Sequence, residues 1–309
     1  MISRRNIRVK VMQTIYALET LHEQTDINVA QTLQKQFTKS RELFLYLVYW
    51  ITETARYVET DARHRASKNI TTENDLHVNT KIAGNEVLWQ IVELPDFKQA
   101  INDFYFEEKI DRDLLKKFYY QLISTTEYQS YIALQQRDKK SERYIINFIF
   151  TNVLLPNELF QSHIEELFNN WDDDYEMMQQ IVINFLYKPA EYNLSEIISD
   201  EKFNFATNLL STALQKKQVC LDLIIPKLNN WEPERIAVLD MIIMRMGLCE
   251  LLYFETIPTK VTINEYIDLA KDYSTPQSGN FVNGILDNIH KDLFAQGKIN
   301  KVDFKPKKL

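Results

Sequence analysis

The sequence predicts an all-α protein. Apolar residues recur at spacings of three and four along almost all of its 309 residues. Alternating apolar and polar runs between turn residues, the mark of strands, are hard to find. The first helix is expected from about Ser3 to Glu23, with Ile7, Val11, Ile15 and Leu18 on one face. A second is expected over roughly Arg41 to Ser67. It ends in a polar stretch, residues 69–81, where Thr71, Thr72 and Asn74 are cap formers and the chain reads as a linker. Residues 82–193 are aromatic and acidic, with clusters at Phe104, Tyr105 and Phe106 and at Tyr119 and Tyr120. Pro95, Pro156 and Pro189 divide them into short helices, an extra helical layer. Asp172, Asp173 and Asp174 precede an apolar helix, where acids complement the positive end of the dipole; that position favours capping over metal binding. The last third predicts four helices: Phe203–Leu228, Glu234–Phe254, Thr262–Tyr273 and Ser278–Gln296. Pro233 suits a first turn, Thr262 a cap, and Gly297 a closing residue. The lysines at 298, 301, 305, 307 and 308 form a basic tail expected to fray.

Composition narrows the function. Hydrophobic residues make up 45% of the chain, enough for one large core or two ordinary ones. No stretch reaches the roughly 18 apolar residues of a membrane span, and no apolar segment follows the basic start, so a cytoplasmic protein without membrane partners is expected. Cys220 and Cys249 lie in apolar helical text and are expected as buried thiols. The five glycines, at 84, 247, 279, 284 and 297, never cluster, which excludes a phosphate-cradling loop. The histidines at 22, 64, 77, 163 and 290 show no ligand spacing, and His22 and Glu23, as helix neighbours, point about 100° apart. Neither an enzyme, a metal nor a cofactor is expected. With 36 basic against 43 acidic residues the net charge is −7, so binding to nucleic acid would need a local basic patch.

Such a patch is expected at the start of the chain. Arg4 and Arg8 are four apart and Arg5 and Arg8 three apart, which places them on one face. Arg8, Met12 and Tyr16 continue it as a column, with the phenol roughly 12 Å below the last guanidinium. Guanidinium groups for phosphates and a ring for an unstacked base suit single-stranded RNA. The competing reading is a solvated basic helix start whose tyrosine packs on a neighbour. Arg245 lies in a helix apolar nearly all round, where its charge must meet an acid, a phosphate or water. Ile263, Ile267 and Ala270 read as the buried stripe of the next helix, with Asn264 and Glu265 satisfying helix ends. Phe281, Val282, Ile285 and Leu286 read as a core face on which Gly284 permits a close approach between helices.

Several of these segments recur as an ordered set. The chain reads Glu234-Arg235-Ile236, then Met244-Arg245-Met246-Gly247-Leu248, then Ile257-Pro258-Thr259-Lys260-Val261-Thr262-Ile263-Asn264-Glu265. Leu269-Ala270-Lys271 and Phe281-Val282-Asn283-Gly284-Ile285-Leu286-Asp287 follow. This succession resembles the signature of the NusB family, and the opening Arg4-Arg5, Arg8, Gln13 and Ile15-Tyr16 is similar to that family's arginine-rich first helix. The resemblance implies a two-layer NusB-like helical bundle, formed by residues 1–25 and 201–297. Residues 26–200 are then an additional helical insert and 298–309 a flexible basic tail. It implies RNA contacts at Arg4, Arg5, Arg8, Tyr16, Arg245, Tyr273 and Gln277, with Asp240 at or beside the RNA or partner surface. It also implies transcription antitermination: binding of a boxA-like single-stranded RNA together with the small-subunit ribosomal protein NusE. Other Nus factors and elongating RNA polymerase at ribosomal RNA operons complete the implied assembly. Cys249 stands where the family often has tyrosine and Gln277 where an acid is common, the latter easing repulsion of phosphate. Two other readings compete: a helical protein-interaction scaffold that binds no RNA, and the RNA-binding part of an RNA-modifying system. The second would require a glycine-rich cofactor turn that this chain does not contain.

Overall fold

A computed structural model describes residues 2–20, 28–228 and 232–302, and no strand occurs among them. The expected end of the first helix at Glu23, the His22–Glu23 pair and the lysines at 305, 307 and 308 lie outside the described residues. The chain divides into two compact units, one formed by residues 37–197 and the other by 2–36 and 198–309.

Helix α1 spans Arg4–Thr20 and α2 spans Val29–Ala66. α2 starts well before the expected Arg41. The Asn28 side chain accepts a bond from the Gln31 N–H at 3.1 Å, and Leu33 and Phe37, four apart and buried, extend the apolar stripe toward the N-terminus. The expected linker carries a capped turn, α3 (Glu73–Leu76), in which Thr72 and Asp75 exchange side-chain-to-backbone bonds as a capping box.

The first unit continues with α4 (Glu86–Val92), α5 (Pro95–Asp103), α6 (Phe106–Lys109), α7 (Arg112–Ile123) and α8 (Thr126–Ala133). After these come α9 (Lys139–Phe148), α10 (Glu158–Leu167) and α11 (Trp171–Tyr187). Asn85, Asp111, Thr125, Asp138 and Asn157 each cap a helix start with a side-chain oxygen, and Pro95 opens α5. A π-helical segment, Ile149–Leu154, prolongs α9. The core of this unit is aromatic: Trp50 meets Phe118 and Phe160 edge-on, with centroids 5.8 and 5.5 Å away. Asp172, Asp173 and Asp174 occupy the first turn of α11, and buried Asp174 accepts bonds from Ser40 at 2.8 Å and Asn170 at 2.7 Å.

The second unit contains α1 and α12 (Asp200–Gln215), α13 (Lys217–Ile224), α14 (Val238–Tyr253), α15 (Thr259–Tyr273) and α16 (Ser278–Ala295). α14 is its axis and packs against α1, α12, α13, α15 and α16; residues 242–251 are all buried, as an all-round apolar helix requires. The single helix expected over 203–228 is two, because Lys216 leaves helical geometry (φ −98°, ψ 16°) and α13 restarts with Cys220 and Ile224 turned inward. The helix expected from Glu234 begins at Val238, and Pro233 instead opens a short 3-10 turn, Pro233–Arg235. Thr262 does not cap α15. The helix starts one turn earlier, after Pro258, and Thr262 is buried within it. The buried stripe of α15 is Thr262, Tyr266, Leu269 and Ala270, with Ile263 and Ile267 at its half-exposed margin. Gly297, at φ 64°, closes α16, with the Lys298 N–H bonded to the Leu293 carbonyl at 2.9 Å. The start of the tail is not frayed: the Lys301 ammonium donates to the carbonyls of Glu250 and Phe254, each at 2.8 Å, at the C-terminal end of α14.

Close packing between helix cores is permitted at Gly247 and not at Gly284, while Gly279 admits the flexible Lys271 side chain. A Cβ at Gly247 would lie 3.0 Å from a Leu286 methyl and 3.3 Å from the Tyr266 ring, whereas one at exposed Gly284 would meet nothing within 4 Å. Gly247→Ala is therefore expected to destabilise the chain by about 1–3 kcal/mol through overpacking. Gly284→Ala should stabilise it by up to about 1 kcal/mol through helix propensity. Paired denaturant titrations check the opposite signs.

Candidate nucleic-acid interface

The arginines expected to share one face of α1 are divided by the fold. Ile7 through Met12 are all buried, because α1 is packed by α12 on one side and α14 on another. Arg8 faces this interior and is 2% exposed. Its guanidinium grips Glu250 of α14 through two bonds of 2.8 Å and reaches Glu265 of α15 at 3.2 Å. Glu250, itself fully buried, also accepts the Thr262 hydroxyl at 2.9 Å and the Tyr266 hydroxyl at 3.0 Å. These bonds satisfy that carboxylate. Burial opposes the charge of Arg8, but its bond to Glu250 and the surrounding negative field hold its pKa above the ordinary value. Burial, followed by the charge of Glu250, likewise pushes the Tyr266 phenol well up. The expected column is broken as well: Met12 is buried beside Arg8, while Tyr16 is 42% exposed.

Arg4 and Arg5 precede the enclosed stretch. Arg4 bonds exposed Glu201 at 2.9 Å and lies over the Phe205 ring at 5.6 Å. Arg5 bonds Asp272 at 2.6 Å, with Asp268 at 3.7 Å, and its side chain is 40% exposed. Asp272 stands in the last turn of α15 immediately before Tyr273, so the fold brings Arg5 to the connection that carries half-buried Tyr273 and exposed Gln277. Tyr273 keeps an interaction within the protein. At the same connection Ser278 opens α16 and donates to Asp240 Oδ2 at 2.7 Å; the other oxygen of Asp240 has no hydrogen-bond partner among the described residues.

Arg245 does not join this group. It is 1% exposed and meets Glu19 at 2.7 Å, an acid rather than water or a phosphate. Glu19 lies 14 positions beyond Arg5 on α1, roughly 21 Å along the helix axis. Lys217 reaches the same carboxylate at 2.8 Å. Burial works against the charge of Glu19, but the bonds from Lys217 and Arg245 hold its pKa below the usual carboxylate value. Cys220 and Cys249 are buried with their sulfurs 3.5 Å apart.

Sequence reasoning missed Glu250 and Glu19. Glu250 sits in the same apolar helix as Arg245, and the rule that flagged the arginine, a charge amid apolar neighbours, flags the acid equally. Glu19 carried no such signal, because the end of α1 reads as solvated.

This arrangement of helices has sequence relatives. The NusB family model matches residues 166–291, and so takes in α11 as well as α12–α15 and most of α16. The transcription antitermination protein NusB of Salinibacter ruber is 45% identical over 98 residues, 32% of this chain and 61% of that protein. Its counterpart from Chloroherpeton thalassium is 36% identical over 107 residues, 34% of this chain and 51% of that protein. The NusB protein of Thermodesulfovibrio yellowstonii is 32% identical over 161 residues, and these cover 95% of its length and 52% of this chain. The chain belongs to the NusB family. It is longer than its NusB relatives, all-helical among the described residues, and spans between about half and nearly all of the lengths of these three. No solved structure matches it. No helix among the described residues is long and apolar enough to cross a membrane.

Proposed function

We propose that this chain is a cytoplasmic, non-enzymatic transcription antitermination factor. It binds a boxA-like single-stranded RNA together with the ribosomal protein NusE, and the complex acts with other Nus factors on RNA polymerase at ribosomal RNA operons. The observation that carries this reading is membership of the NusB family, with 95% of one NusB relative covered. The geometry adds which groups are suited to RNA. The ion-pair partners of Arg4 and Arg5 are exposed carboxylates, pairs worth about 0–1 kcal/mol, so a phosphate can replace those partners at little cost. Tyr16 and Gln277 are exposed and Tyr273 lies beside the Arg5 partner, whereas Asp240 is buried beneath this connection and supports it through Ser278. Arg8 and Arg245 serve this surface indirectly, by fixing α1 against α14. No covalent step is required of any of these groups.

The test is co-purification of the full chain with NusE, followed by anisotropy titration of a labelled boxA-like RNA with and without that protein. Tighter RNA retention by the pair than by either component is expected. Failure of the pair to retain RNA, with both proteins folded, would leave the scaffold reading in its place.

A further inference from the structure

α9 carries a strip of cationic and aromatic side chains turned away from the core. At 100° per residue, Lys139, Lys140, Arg143 and Tyr144 occupy one continuous arc of about 140°, opposite the buried arc of Glu142, Ile145 and Ile146. Lys139, Lys140 and Tyr144 are exposed, the last at 56%, and Arg143 is half-buried. The Arg143 guanidinium lies 4.8 Å over the ring of Tyr187, at the end of α11, and that ring is 60% exposed. α9 and α11 pack together within the same unit, so the two rings and three cations share one surface.

The acids beside this surface are engaged elsewhere, and Lys140 meets only the field of Asp138. Asp138 is occupied at the N-cap of α9, accepting the backbone N–H groups of Lys140 and Ser141 at 2.8 and 3.1 Å. Glu142 is buried and held by Arg137 at 3.1 Å, and Glu191 is paired with Lys188 at 2.9 Å. None of the ion pairs among the described residues engages Lys139, Lys140 or Arg143. In a chain of net charge −7, three cations outside any ion pair stand here beside two exposed phenol rings.

We infer that this face of α9 and α11 is a second single-strand RNA surface, separate from the one proposed on α1, with Lys139, Lys140 and Arg143 taking phosphates and Tyr144 and Tyr187 stacking on bases. Lysine is depleted in protein–protein interfaces, whereas cations interleaved with exposed aromatic rings are the pattern of strand-binding proteins that tolerate many sequences. Arg143 holds one side of the Tyr187 ring in a cation–π interaction and leaves the other for a base. These residues belong to the other unit, so a failure of the boxA reading would leave this surface untouched.

A uridine-rich, unstructured RNA lacking any boxA-like element is the probe, titrated against the full-length chain by anisotropy over a range of salt concentrations. Tyr144→Ala with Tyr187→Ala is expected to weaken binding by about tenfold for each ring that stacks. Tyr187→Phe should restore its share, because the stacking face is kept. Lys139→Glu with Lys140→Glu should flatten the plot of log affinity against log salt by about 1.4, near 0.7 for each phosphate no longer neutralised. Ultraviolet crosslinking should place the strand on peptides containing Tyr144 or Tyr187. Arg4→Ala with Arg5→Ala serves as the control on the other surface. Unchanged affinity and slope in the α9 variants overturn the inference, whether or not that control weakens binding, and leave the face to a protein partner. A wild-type chain that does not retain this strand overturns it as well, while boxA retention with NusE would still stand.

Discussion

Glu250→Ala is expected to cost about 3–5 kcal/mol of folding stability, because it strands the Arg8 guanidinium in a site that water does not reach. The hydroxyls of Thr262 and Tyr266 lose their acceptor at the same time, and of the carboxylates paired with Arg8 only half-exposed Glu265 is left. The penalty belongs to breaking the pair and not to the pair itself. Replacing both charges, Arg8→Met with Glu250→Leu, is therefore expected to recover part of the loss, since no guanidinium is left stranded, while the Thr262 and Tyr266 hydroxyls still lack their acceptor. Urea titration of the two single variants and the double variant checks both statements, and a double variant no better than the worse single one would contradict the second.

The second large effect lies at the other end of α1. Glu19→Ala leaves Arg245 buried with no carboxylate and is expected to cost about 3 kcal/mol, the low end of the range for broken buried pairs, since the Glu19 side chain is 21% exposed. Its acid counterpart has a definite sign. The folded state holds the Glu19 pKa below the ordinary 4.5, so the stabilisation is fully present above that value and is lost as pH falls through the lower folded pKa. Thermal melts of wild type and Glu19→Gln should stay separated above pH 4.5 and converge only as pH falls through the lower folded value. Parallel curves across that window would show that Glu19 carries no such share.

These two pairs explain what the sequence could and could not show. Helix class followed from periodicity, and the closing residue Gly297 and the acids opening α11 followed from local chemistry, which depends only on neighbours a few positions away. The direction of Arg8 did not. Residues 4, 5 and 8 do share an arc of α1, but whether that arc faces solvent depends on α12 and α14, which lie far along the chain. Arg8 lies over Phe205 and Tyr266, neighbours that no local pattern announces. Gly284 and Gly247 fail the same way, since close approach is a property of the facing helix and not of the glycine. The early start of α2 was readable at Asn28, a cap former followed by buried Leu33, but the polar residues between masked it.

The arginines of α1 have separate tasks: Arg8 holds the fold together, while Arg4 and Arg5 are proposed to meet RNA. The most direct test is the salt dependence of boxA-like RNA binding, in complex with NusE, for wild type and for Arg4→Ala with Arg5→Ala. The double variant should melt within a few degrees of wild type, since both residues lie in exposed pairs. Its slope of log affinity against log salt should flatten by about 1.4, two phosphates at roughly 0.7 each. An unaltered slope, with stability unaltered too, would contradict the account and remove the start of α1 from the RNA surface.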